Sequence, residues 1–168
     1  MKDTIDVLEL LEWQHAEVDD LIDQLEQGLG DRPALFAELA DKLAAHATVE
    51  EKIFYPAVMA PSTSELLHES VEEHLTIKRL LADMMDMDPD DDDDEFDTTL
   101  ALLKDEVSHH AHDEEEDKLF PELRRLMTDD ELAGLGNEVM AMFEALIEHA
   151  PRQNVPGETA EPAPLPPP

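Results

Sequence analysis

Apolar residues recur along this chain at three- and four-residue intervals in five successive stretches, the spacing of amphipathic helices. The first stretch runs from about Thr4 to Leu29, with Leu8, Leu11, His15, Val18, Ile22 and Leu25 on one face and Gly28 and Gly30 as its stop. The second opens after Asp31 and Arg32, with Pro33 in the first turn, and continues to about Met59 through Leu39, Leu43, His46, Glu50 and Ile53. The third follows Pro61, with Ser62 or Ser64 as cap, and reaches about Met87 through Leu67, Val71, His74, Ile77, Leu81 and Met84. The fourth spans about Glu95 to Met127 through Phe96, Leu100, Leu103, Val107, His110 and Glu114. Thr128 caps a shorter fifth, about Asp129 to His149, whose Asp-Asp-Glu first turn suits the helix dipole.

Breaks in the pattern set the organisation. Pro89 and the run from Asp90 to Asp94 break the pattern, and the five adjacent aspartates repel one another and cannot pack, so they predict a solvated loop. That run lacks the spaced ligands and the glycine of a calcium loop. The reading is an all-α, up-down-up-down antiparallel four-helix bundle with a short fifth helix. It occupies residues 1–149, and a disordered tail rich in Pro, Glu and Ala occupies residues 150–168.

Composition narrows the chemistry. Aromatic residues make up only 4% of the chain, which fits helices better than sheets. The formal net charge of −33 disfavours nucleic acid and anionic membranes as partners. The absence of cysteine removes disulfides, thiolate metal sites and iron–sulfur clusters, leaving nitrogen and oxygen ligands for any metal. Met1 to Leu11 lacks the pattern of a signal peptide, and no apolar run is long enough to span a bilayer, so the sequence reads as soluble and cytoplasmic.

Each of the four long stretches carries a histidine inside its apolar stripe: His15, His46, His74 and His110. A lone histidine on such a face is usually a core residue with a satisfied hydrogen bond. Four of them on consecutive helices need partners that mid-helix backbone cannot supply, and a shared metal satisfies all four. A near-repeat strengthens this. His46, Glu50, Glu51, Phe54, Tyr55 and Pro56 are echoed by His110, Glu114, Glu115, Leu119, Phe120 and Pro121. Residues four apart share a helix face, so each segment aims an imidazole and a carboxylate into one space. Carboxylates can bridge two metals while imidazoles cap them. An ordinary exposed pair would explain neither the buried stripe nor the duplication.

In the order of these four segments, and in the aromatic-proline pairs after the two glutamates, the chain from about Leu8 to Leu126 resembles the hemerythrin-like cation-binding family. The resemblance implies a bundle holding two non-haem, carboxylate-bridged iron ions. It also implies dioxygen, peroxide or nitric oxide as the small ligand. His15, His46, His74 and His110 would be terminal ligands, with Glu50 and either Glu114 or Glu115 as bridges. Counting four from His110 gives Glu114, the slightly favoured choice, whereas counting back from Pro121 to match Glu50 and Pro56 gives Glu115. The two lie about 100° apart on a helix.

The family's oxygen carriers have a second histidine one turn from the third. Here the flanking positions are Ser70 and Lys78, with Glu73, Glu51 and Tyr55 as substitute donors. That departure points away from reversible dioxygen carriage and towards redox chemistry, with peroxide decomposition as one activity. The other reading is an iron- or oxygen-sensing module without catalysis. His68 and His149 are expected to face solvent, and His109 and His112, which flank His110 on other faces, are not expected to be ligands. His112 is expected to orient a carboxylate. Trp13, Met84, Met85, Met87, Met140 and Met142 are expected to pack.

Overall fold

The computed structural model describes residues 5–91 and 94–168. Thr4, Asp92 and Asp93, which figured in the predicted first helix and the aspartate loop, lie outside the described residues. Among the described residues every regular element is helical. The elements are α1 (Val7–Glu26), α2 (Arg32–Val49), α3 (Tyr55–Val58), α4 (Ser64–Met85), α5 (Glu95–Ser108), α6 (Phe120–Leu126) and α7 (Asp129–Ile147). Two π-helical segments, Glu50–Phe54 and His109–Leu119, join α2 to α3 and α5 to α6 without a break.

Local chemistry fixes the helix starts. Asp6 caps α1 by accepting from the Glu9 amide at 2.9 Å, and Asp31 caps α2 by accepting from the Ala34 amide at 3.1 Å. Thr128 and Glu131 form a reciprocal capping box at α7. The α4 cap is Thr63, neither Ser62 nor Ser64. Its hydroxyl accepts from the Ala60 amide at 2.9 Å and donates to the Val58 carbonyl at 2.8 Å, so it ties the turn rather than the helix end.

Two apolar clusters stack along the molecule. One joins the C-terminal halves of α1 and α4 to the N-terminal halves of α2 and α5 through Ile22, Leu39, Leu81 and Leu100. The other joins the opposite halves through Leu11, Tyr55, Leu67 and Phe120, and α7 closes it with Leu132 and Val139. The four stripe histidines lie between the clusters. α7 packs against α1, α2 and the first π segment. A Cβ on Gly136 would stand 2.8 Å from the Ile5 carbonyl oxygen, so only glycine permits this approach.

Two expectations fail. The tail does not leave the bundle after Pro151. A 3-10 segment, Pro151–Glu158, packs on α2 and α4, with Val155 buried in the first cluster. Arg152 reaches Asp41 at 2.7 Å, and Arg79 donates to the Thr159 carbonyl at 2.9 Å. Its proline-rich composition hid the apolar anchors Pro151 and Val155, the packing of Ala163 and Leu165 on the second cluster, and these charge-assisted contacts. Trp13, expected to pack, is 56% exposed. No helix among the described residues is long and apolar enough to cross a membrane.

Candidate metal centre

The site begins with two prolines. Proline has no N–H, and its ring crowds the carbonyl four residues back, here Lys52 for Pro56 and Asp117 for Pro121. At both places the helix widens into π geometry. The Tyr55 amide bonds the Glu50 carbonyl, and the Phe120 amide bonds the Glu115 carbonyl, each five residues back. The two glutamates therefore hold equivalent places relative to their prolines.

This geometry decides which acidic residue faces the histidines. Glu115 is fully buried, with Oε1 at 3.1 Å from His15 Nε2 and 3.5 Å from His110 Nε2. The slightly favoured Glu114 points elsewhere, to Lys118 at 2.9 Å and towards His109 at 3.7 Å. Four-residue counting assumed an α-helix, whereas π turns bring residues five apart together. The count back from Pro121 gives the glutamate that the structure turns towards the histidines.

Six side chains converge, none more than 6% exposed. Ligand atoms of His15, His46, Glu50 and Glu115 lie within 4.8 Å of one another, and those of Glu50, His74 and His110 do the same. Glu50 Oε1 stands 3.1 Å from both His46 Nε2 and His74 Nε2 and 3.6 Å from His110 Nε2. Both carboxylates thus lie between one histidine pair, His15 and His46, and the other, His74 and His110.

Every one of these imidazoles is held from behind. The Nδ1 atoms face acceptors: Glu116 for His15 at 2.6 Å, Gln14 for His46 at 2.6 Å, Glu51 for His74 at 2.7 Å and Glu73 for His110 at 2.9 Å. Nδ1 therefore carries the proton in the neutral ring, and all four Nε2 lone pairs face inward. His112 bonds the same Glu116 at 3.1 Å and so helps to fix the support of His15. The inner atoms are poorly matched to each other. His74 Nε2 and His110 Nε2 face at 3.0 Å, and buried His46 Nε2 and Glu50 Oε2 have no hydrogen-bond partner. Buried polar atoms left this way are costly, and cations between them would satisfy them. The donor set of imidazole nitrogens and carboxylate oxygens fits iron.

Tyr55 occupies the side where the extra histidine is missing. Its hydroxyl donates to Glu115 Oε2 at 2.8 Å and lies 3.3 Å from His74 Nε2, and Ser70 is itself buried. Glu51 and Glu73, the other candidate substitutes, are spent on Nδ1 atoms instead. Lys78, the second flanking position, is buried and pairs with Glu51 and with Glu158 of the tail, each at 3.0 Å. His68 and His149 are exposed.

In the cation-free protein, protons carry the positive charge. Burial opposes charging of His15, but Glu115 and Glu116 outweigh it and push its pKa up to about 9. His74 and His110 are raised too, against burial, by the surrounding carboxylates. Burial and the charge of Glu50 raise Glu115, and burial with the charges of Glu115 and Glu50 holds the Tyr55 phenol well above its usual range.

The chain matches the model of the hemerythrin HHE cation-binding domain over residues 6–123. It belongs to that family. All six converging residues of this HHE domain fall within the match. Among solved structures, it is similar to a hemerythrin HHE cation-binding domain-containing protein from Mycobacterium kansasii. The two share 23% identity with a TM-score of 0.75, and the alignment covers 92% of this chain and 94% of that one, which establishes the fold. No curated protein sequence matches this HHE protein significantly.

Proposed function

We propose that this protein holds two non-haem iron ions in an up-down-up-down helical bundle and binds or reacts with a small oxidant: dioxygen, peroxide or nitric oxide. One observation carries the reading. Four imidazoles, each with Nδ1 tied to an acceptor, turn Nε2 towards two buried carboxylates that lie between them. His15, His46, Glu50 and Glu115 would hold one ion. His74, His110, the two carboxylates and Tyr55 would hold the other. Bound iron would supply the electrons and the electrophilic centre that such an oxidant needs.

The surroundings suit a small ligand. Beside the four histidines lies a cavity with about 20 Å³ open to the centre of a water-sized molecule, walled by Val18, Leu43, Ile77 and Val107. That is room for one water or a diatomic molecule. Its walls are apolar, so they would exclude bulk water. Across the centre, in the cation-free protein, Tyr55 keeps the proton on its hydroxyl and donates it to Glu115 at 2.8 Å.

A sensing role without catalysis is the second reading. It is favoured by the run of contacts from Glu158 in the tail through Lys78 and Glu51 to His74. Ions held only by the folded state would tighten this run. Adding hydrogen peroxide, dioxygen or nitric oxide to iron-loaded protein tests the first reading. Oxidant loss or a change in the optical spectrum is expected with at least one. No change with any of the three would refute it.

A further inference from the structure

The six converging side chains are buried, so their cations have to arrive through the protein surface. One further cluster stands at that surface. Glu73 Oε2 lies 3.0 Å from His109 Nε2, and Glu114 Oε1 lies 3.7 Å from the same nitrogen. Ligand atoms of these three residues are within 4.8 Å of one another. His109 is half exposed; its Nε2 faces the two glutamates, and its Nδ1 stands 3.5 Å from Asp113.

Two independent observations point to a ligand here. Glu114 is only 7% exposed, and its Oε2 is buried without a hydrogen-bond partner, an expensive arrangement for a carboxylate. Its other oxygen, Oε1, pairs at 2.9 Å with the ammonium of Lys118, an exposed side chain that an incoming cation would displace. In addition, an open basin of about 860 Å³ leads to His109, lined on α4 by Glu65, Glu69, Glu72 and Glu73 and by residues 162–165 of the tail. Carboxylates of one sign along such a depression raise the local concentration of cations.

We propose that Glu73, His109 and Glu114 form an outer divalent-cation site that loads the buried centre. Glu73 links the two. One of its oxygens faces the outer site, and the other accepts from His110 Nδ1 at 2.9 Å. A cation held by Glu73 is therefore one imidazole ring from the buried cluster, since His110 Nε2 faces inward. One imidazole and two carboxylates leave the rest of the coordination shell to water, so this site binds more weakly than the buried pair and releases its ion inward. The loading role rests on the reading of the buried centre as a metal pair. The outer site does not.

Titration of metal-free full-length protein with manganese(II), followed by the loss of the free-ion magnetic resonance signal, counts the sites. Three equivalents are expected for the wild type, the third weaker. His109→Ala, at a half-exposed position, should weaken the third by at least about tenfold and leave two. Anaerobic loading with iron(II) should be severalfold slower in His109→Ala, with the same final iron content after gel filtration. An unchanged third equivalent, or an unchanged loading rate, would overturn the proposal. His46→Ala separates the two ideas. It should lower inner binding and keep the equivalent that depends on His109. If it keeps all three, the reading of the buried pair fails while the outer count stands. If it loses all three, the outer site has no existence of its own and the proposal falls.

Discussion

Glu115 Oε1 stands 3.1 Å from Nε2 of His15, a residue one hundred positions earlier in the chain. The neighbouring Glu114 faces Lys118 on the surface side. Adjacent glutamates thus have separate roles, set by the π segment that carries them. Glu115→Gln removes a charge that faces both histidine pairs, and retained iron should fall by one to two ions per chain. Glu114→Gln should leave the retained iron unchanged. Iron assay after gel filtration compares them, and equal losses would contradict the division.

The histidine pKa values set a pH dependence for the metal-free protein. His15 is raised from 6.5 to about 9, so its protonated form stabilises the fold. That contribution is complete below pH 6.5 and is lost as pH rises through about 9; a shift of this size corresponds to about 3 kcal/mol. His74 and His110 shift in the same direction. Metal must displace these protons, so its affinity should climb over the same window. Urea melts at several pH values, with and without bound iron, should therefore show opposite trends between about pH 6.5 and 9.

Two glycines on α7 give a paired test of how this helix meets α1. Gly136→Ala would drive a methyl group into backbone atoms of residues 5–7, and a loss of about 1–3 kcal/mol is expected. Gly134 has nothing within 4 Å of such a methyl, and Gly134→Ala should stabilise the helix by about 0.5–1 kcal/mol. Thermal melts of both variants should move in opposite directions.

The tail should prove structural. Val155→Ala removes buried apolar volume from the first cluster and should cost about 1–3 kcal/mol. Ending the chain before Pro151 should cost more, because the Arg152–Asp41 and Lys78–Glu158 pairs go as well. A denaturation midpoint unaffected by truncation would show that these contacts contribute nothing.

Much of this was legible in the sequence. The helical stripes placed His15, His46, His74 and His110 on faces that the fold turns inward, and the repeated proline motif marked Glu50 and its counterpart. Helical periodicity could not show the local widening at Pro56 and Pro121, and that widening exchanges Glu114 for Glu115. Tyr55 was one of three substitutes for the histidine absent at Ser70. What separates it from the other two is that Glu51 and Glu73 are held by imidazole Nδ1 atoms, a relation between different helices. The tail misled because its composition resembles that of disordered chains, while buried Pro151 and Val155, the packing of Ala163 and Leu165 and a few ion pairs dock it.

The proposed centre holds a pair of iron ions on four inward Nε2 atoms and two carboxylates. Iron per chain, measured on protein produced in iron-rich medium and freed of loosely bound ions by gel filtration, tests it most directly. About two ions per chain are expected, falling in His74→Ala and in Glu115→Gln. Protein that retains no transition metal, or that keeps its full iron content in both variants, would contradict the account.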